Sequence, residues 1–374
     1  MTSEQKQPKA RVLAYYLPQF HPIPENDEWW GKGFTEWTNV GKAKPLFPGH
    51  YQPHVPADLG YYDLRVPETR EAQAQMAREA GIEGFVYWHY WFGNGKRLLE
   101  RPFNEVLASG KPDFPFALAW ANQTWQGFNF GVNNERNVLI EQIYPGDEDY
   151  IAHFNAVLPA FLDKRYITCE EKPIFIIYMP DEIPNVTHFL SLWRELAIKN
   201  GLKGIYFISH DMNRLTEKAA QSTYNKRIAQ GFDGVNYVNL MRYNLQELPF
   251  WFRVARKLFH KNQKLRLIPE IKPYDTEVFK TALDDIENVF PTIVPDWDHT
   301  PRSGVNGIAL VGSTPEKFGS IAKEMVTRIS RKPEEKRFLF IKSWNEWAEG
   351  NYMEPDLRWG TRYLDNLQNA VLEK

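Results

Sequence analysis

Short apolar runs recur along the chain, each bounded by charged or turn-forming residues and each too short for an ordinary helix. They predict strands at Arg11 to Leu17, Gly84 to Trp88, Pro115 to Ala121, Pro173 to Met179, Gly204 to Ser209, Asp233 to Val238, Phe290 to Pro295 and Phe338 to Ser343. Helical signals stand between them. Pro67 opens one helix, with Glu68 and Glu71 in its first turn and Gly81 ending it. Others are predicted near Glu148 to Lys164, Thr187 to Asn200, Leu215 to Gln230, Leu245 to Lys261, Pro315 to Ser330 and Arg362 to Glu373. Leu265 to Pro269 offers an alternative seventh strand, which would make Phe290 to Pro295 an insertion. Strands each followed by a helix or an insertion give the order of a closed parallel (β/α)8 TIM barrel with long βα loops.

One stretch breaks the rhythm. From Pro18 to Pro67 no convincing helix is read, yet Trp29, Trp30 and Trp37 fall inside it. A long loop in a compact domain is functional or misassigned, and the tryptophans favour function. No fixed-period repeat, low-complexity tract or Pro/Gly/Ser linker marks a boundary, so residues 11–374 read as one barrel domain after a disordered tail, residues 1–10.

Composition narrows the partners. A net charge of -2 leaves no basic field for a phosphate backbone, so nucleic acid is not expected. A mean hydropathy of -0.52 gives no membrane span. Aromatic residues make up 15% of the chain, which serves either a large core or a cleft in which sugar faces stack on rings. Cys169 is the single cysteine; it excludes an intrachain disulfide and fits a reducing compartment. The polar residues 1–10 lack the apolar core of a secretion signal, so the cytoplasm is the expected location, with a secreted or periplasmic one only if a leader has been removed. Oligomeric state is not read from the sequence.

A barrel carries its active site at the C-terminal ends of its strands, and polar and aromatic residues collect there. His89, Tyr90 and Trp91 follow the second predicted strand after Trp88; Trp120, Asn122, Gln123 and Trp125 belong to the third; Tyr178 and Asp181 to the fourth; His210 and Asp211 to the fifth; Asn236, Tyr237 and Asn239 to the sixth; Asp296, Trp297, Asp298 and Arg302 to the seventh. Any one of these is more often an ordinary loop residue. Jointly they describe an aromatic-lined mouth.

The eighth strand leads into Trp344-Asn345-Glu346-Trp347-Ala348-Glu349-Gly350. Two glutamates at i, i+3 usually decorate a solvated helix face. Here they stand among two tryptophans and an asparagine directly after a buried strand, within reach of the ~5 to 9.5 Å that paired carboxylates need for glycoside cleavage. Glu346 and Glu349 are therefore the candidate catalytic acids, dividing proton donation and base work if their surroundings differ. No metal or cofactor is expected. Of the 9 histidines, His50 and His54 are spaced i, i+4, but Pro53 between them disfavours a helix presenting both. Asp296-Trp297-Asp298 matches the acidic triplet of metal-dependent sugar-nucleotide transferases, without a glycine-rich phosphate loop beside it. A catalytically idle glycan-binding barrel is the third reading.

Five ordered motifs resemble the WbsX-type, glycoside hydrolase family 99-like proteins: Tyr15 to Pro22, Trp29 to Val40, Trp120 to Asn122, Trp297 to Arg302 and Trp344 to Gly350, spanning about Arg11 to Leu364. The resemblance implies a (β/α)8 barrel acting on an oligo- or polysaccharide, mannose- or rhamnose-containing bacterial glycans in particular. It implies retention, with Glu346 deprotonating the sugar 2-hydroxyl so that it attacks C1, and Glu349 acting as acid and then base. It also implies a sugar-binding set that adds Tyr16, His21, Trp37, Trp344, Asn345 and Trp347 to Trp88, His89, Tyr90, Trp120, Asn122, Tyr178, His210, Asp298 and Arg302. WbsX-type proteins also carry the label of lipopolysaccharide or O-antigen biosynthesis glycosyltransferases, which keeps transfer from an activated sugar donor as the alternative.

Overall fold

Eight apolar segments form parallel strands: β1 (Arg11–Tyr16), β2 (Gly84–Trp91), β3 (Phe116–Trp120), β4 (Lys172–Ile177), β5 (Tyr206–Asp211), β6 (Gly234–Tyr237), β7 (Val289–Ile293) and β8 (Phe338–Ile341). They pair in chain order, and β1 bonds to both β8 and β2, so the sheet closes into the expected (β/α)8 barrel. The computed structural model describes residues 8–128, 136–212, 216–239 and 267–372. The expected helix at Leu245 to Lys261 lies outside them. Among the described residues no helix is long and apolar enough to cross a membrane.

Both faces of the barrel wall are covered, so almost every strand residue is buried and the strands read as continuous apolar runs rather than alternating ones. Side chains still alternate between lumen and outer layer. Outside the wall, Trp193 packs with Phe175, Phe189 and Phe207, and each such large apolar side chain contributes roughly 1.5–3 kcal/mol by leaving water. The surrounding helices begin where the chain offers caps and acids: Asp147, Glu148 and Asp149 fill the first turn of the helix Asp147–Phe161, and the Asn185 and Thr314 side chains cap those at Val186–Lys199 and Pro315–Ile329.

The structure departs from the expected elements after β1, at Arg101 and in the tail, and keeps the expected seventh strand over its alternative. The stretch after β1 holds two helices, Pro24–Trp30 and Glu36–Lys42, each of two turns and so too short for a periodic signal. The helix Arg101–Ser109 is likewise too short to leave such a signal. The seventh barrel strand is the segment at Val289, whereas Leu267 to Pro269 is not a strand and the neighbouring Glu270–Pro273 pairs with Ile308–Val311 in a separate ribbon beyond the barrel. Of the tail, Ala10 is buried and the Lys9 N–H bonds to the Val371 carbonyl at 3.3 Å.

Candidate active site

At the end of β8 the chain folds back on itself. Asn345 and Glu346 pair antiparallel with Tyr352 and Asn351, the turn between them is the 3-10 helix Trp347–Glu349, and Gly350 closes it at φ +65. A Cβ on Gly350 would lie 2.6 Å from the Asp298 nitrogen, so only glycine lets this hairpin pack so close to the loop after β7. The hairpin is pinned to β1: Asn345 accepts from the Leu17 N–H at 2.8 Å and donates to the Leu17 carbonyl at 3.0 Å.

This hairpin puts Glu346 and Glu349 side by side. Asn351 Nδ2 lies 3.4 Å from an oxygen of each, so those two oxygens are separated by no more than twice that distance. Lys342 Nζ stands between them as well, 3.1 Å from Glu346 and 3.9 Å from Glu349. The other Glu346 oxygen accepts from Trp88 Nε1 at 2.8 Å. The other Glu349 oxygen is paired with Arg302, with His299 Nε2 at 3.7 Å. Burial raises the proton affinity of Glu346, and the charge of Glu349 adds to that against Lys342. Burial would raise Glu349 too, but Arg302 and Lys342 outweigh it and hold the carboxyl below its ordinary value. His299, pushed down to about 4 by burial and by Arg302, is neutral.

The acids open into a cleft lined by the rings of Trp88, Tyr90, Trp125 and Tyr178 and by Gln19, Gln123, Arg302 and Lys342. Of the expected sugar-binding set, Trp88, Tyr90, Tyr178 and Arg302 meet here. His210 lies just beneath: its ring packs against Tyr178 and Trp88, while Nδ1 is held by Tyr15 and Asn236 at 3.0 and 3.1 Å.

Other expected residues are placed elsewhere. Tyr16, His89 and Trp120 point outward, to Gln73, to His153 and to Phe189 respectively, because strand alternation gives the lumen to their neighbours. Asn122 clamps Met179 by both backbone groups, and His21 bonds the Pro18 carbonyl at 3.0 Å. Trp37 bonds the Tyr62 carbonyl at 2.7 Å, Trp344 packs on Phe85, and Trp347 stacks on Tyr352 at 3.7 Å. Asp298 accepts from His50 Nε2 at 2.7 Å and Gln52 Nε2 at 2.6 Å; the Leu46 N–H occupies His50 Nδ1, which fixes the Nε2 proton toward Asp298. Asp296, the other member of the acidic triplet, is pushed up to about 8 by burial. Among the described residues no group of three or more His, Cys, Asp or Glu is arranged to hold a metal ion.

Sequence reasoning missed Lys342, Asn351, Gln19 and Glu36. Lys342 carried a signal, since a lysine directly ending a buried strand at the barrel mouth occupies an active-site position.

The hairpin has its own foundation. Glu354, 3% exposed, accepts from Trp347 Nε1 and Gln73 Nε2 at 2.6 Å each and from the Tyr62 hydroxyl at 2.9 Å, and burial pushes its carboxyl up to about 7. Glu354→Leu would leave these donors without their acceptor, and is expected to cost about 1–3 kcal/mol in urea unfolding at pH 5, where the raised carboxyl carries little ionisation cost of its own. An unchanged midpoint there would show that the carboxyl is not the common acceptor.

The family model described as "Glycosyltransferase WbsX" matches residues 12–367. The chain belongs to the WbsX family. Two curated relatives, each an "Uncharacterized protein WxcX" from a strain of Xanthomonas campestris pv. campestris, B100 and ATCC 33913, are 33% identical over 372 residues, covering 97% of this chain and 50% of theirs. This WbsX-family chain thus spans about half the length of the curated relatives it matches. Among solved structures, a glycoside hydrolase-like protein superposes with a TM-score of 0.60 at 16% identity, over 98% of this chain and 95% of its own. The GH99 endo-alpha-mannosidase from Bacteroides thetaiotaomicron gives 0.54 at 14% identity, over 96% of both chains. These likenesses extend the barrel architecture to the WbsX family member described here.

Proposed function

We propose that the protein is a carbohydrate-active enzyme that cleaves, or transfers to another acceptor, an α-linked bacterial glycan of mannoside or rhamnoside type through Glu346 and Glu349, with retention. The observation that carries this is the shared seat of the two acids: one amide and one ammonium bridge them, and both face a cleft with indole and phenol walls on which sugar faces stack. The bound on their separation set by Asn351 accommodates the ~5–5.5 Å of retaining pairs. Their proton affinities also differ, as a division into acid and base requires.

The order of roles has two candidates. The family resemblance makes Glu349 the acid and Glu346 the base toward the 2-hydroxyl. The pairing of Glu349 with Arg302 favours the reverse in the unliganded protein, since it holds Glu349 as the anion. Glycosides with weakly basic leaving groups separate them, because the variant lacking the general acid keeps its first step on such substrates.

Transfer from a sugar nucleotide through Asp296 and Asp298 is less well supported, since Asp298 is already engaged by two side-chain donors. Incubation with α-mannan and α-rhamnan oligosaccharides is expected to yield new reducing ends or rearranged chains. Release of nucleoside diphosphate from a sugar nucleotide with manganese, and no change in the glycans, would overturn the reading; glycan binding with neither product would leave a lectin-like barrel.

A further inference from the structure

Glu36 opens the helix Glu36–Lys42 on the loop after β1, just behind the capping Thr35. A carboxylate in a first helical turn complements the helix dipole and ordinarily faces water. This one is 3% exposed. Its Oε2 accepts from two nitrogens of Arg302, Nε at 3.1 Å and Nη2 at 3.0 Å, while the remaining nitrogen, Nη1, reaches Glu349. A guanidinium is a rigid planar fork, so holding two of its nitrogens fixes the direction of the third. Arg302 itself stands on a single helical turn, Thr300–Ser303, and the helix Glu36–Lys42 packs against both that turn and the turn that carries Glu349.

We propose that Glu36 is a positioning residue for the acid pair, gripping the back of Arg302 so that its free arm meets Glu349 in one fixed geometry. The proposal rests on Glu346 and Glu349 being the reacting groups. It assigns a purpose to the loop after β1: this loop brings the acid that orients the counter-charge of an acid at the far end of the chain.

The groups facing Glu349 are Arg302 and His299 from the loop after β7, Lys342 and Glu346 from β8 and its hairpin, Glu36 across Arg302, and the Tyr90 hydroxyl from β2. Among them, charge alone and positioning give opposite signs for the loss of Glu36. If Arg302 stays where it is, removing a nearby negative charge makes Glu349 easier to ionise. If Glu36 is what holds Arg302, the guanidinium loses its anchor and Glu349 becomes harder to ionise.

Protein labelled with 13C at the glutamate carboxyl, titrated by NMR, reads this directly, with the Glu349 resonance identified as the one absent from Glu349→Gln. In Glu36→Gln the Glu349 midpoint is expected to rise by about one pH unit. Glu36→Asp keeps the charge but is a methylene too short to grip both nitrogens, so it is expected to raise the midpoint as well, and it carries the test if Glu36→Gln does not fold. A midpoint that falls or stays in place overturns the proposal. Because the titration uses no substrate, it is independent of the glycan assays: a raised midpoint with no glycan processed would sink the proposed chemistry and leave the positioning intact.

Discussion

Glu349→Gln is expected to slow turnover of the glycan by about 10^2- to 10^4-fold, the usual worth of a positioned proton-transfer group. The amide is nearly isosteric, so the cleft walls stay in place and glycan binding measured by calorimetry should persist, although an amide can accept at only one of the two positions that Arg302 and Asn351 address. What disappears is the ionisable oxygen that Arg302 and Lys342 address. Glu346→Gln should cost as much, since Trp88 Nε1 and Lys342 Nζ donate to its two oxygens and an amide can accept at only one of them. Because the two acids act as a unit, the double variant should be little slower than the worse single one. A Glu349→Gln protein that turns over at the wild-type rate would remove the carboxylate pair from the chemistry altogether.

The barrel was legible because its wall is buried on both sides. Each strand left an apolar run, and runs in alternation with capped helices admit few topologies. The same burial hid which way the side chains face. In β1 both Tyr15 and Tyr16 are buried, so no polar alternation announced that Tyr15 enters the lumen to meet His210 while Tyr16 meets Gln73 outside. In β2 the consecutive Trp88 and His89 divided the same way: one donates to Glu346, the other bonds His153. Rim residues near in sequence to a strand end could be named; their direction could not.

That the two glutamates are neighbours was legible for the opposite reason. Glu346, Glu349 and Asn351 lie within one hairpin, so local spacing brings them together whatever the rest of the chain does. Their counter-charges obey no such spacing. Arg302 comes from the loop after β7 and Glu36 from the loop after β1, and only barrel closure makes them neighbours. The tryptophans misled in an instructive way. Trp37, Trp344 and Trp347 belong to the motifs that carry the family resemblance, yet their rings pack behind the hairpin against Tyr62, Phe85 and Tyr352. A motif marks what a site requires, including its support, and not only what touches a ligand.

The largest stability effect is expected at Lys342. Its side chain is 8% exposed and its ammonium lies between two carboxylates and over the rings of Trp88 and Trp297 at 5.7 and 5.5 Å. Burial alone would lower its proton affinity, but Glu346 and Glu349 outweigh that and raise it. The lysine's own contribution is therefore fully present below the unfolded lysine value and is lost only as pH rises through the higher folded one. Lys342→Met keeps the length of the side chain and removes the charge, leaving a buried carboxylate uncompensated at about 3–5 kcal/mol. The pH dependence of that loss comes from Glu346. Without the ammonium its already raised proton affinity climbs further, and a carboxyl raised in the folded state costs stability only above its unfolded value, near ~4.3. The gap between variant and wild type in urea midpoints should be widest near pH 8 and narrow steadily toward pH 4, as Glu346 takes up its proton. A gap of constant size across that range would mean that Lys342 supports the barrel by packing alone, and that the charge balance of the acid pair is set by Arg302.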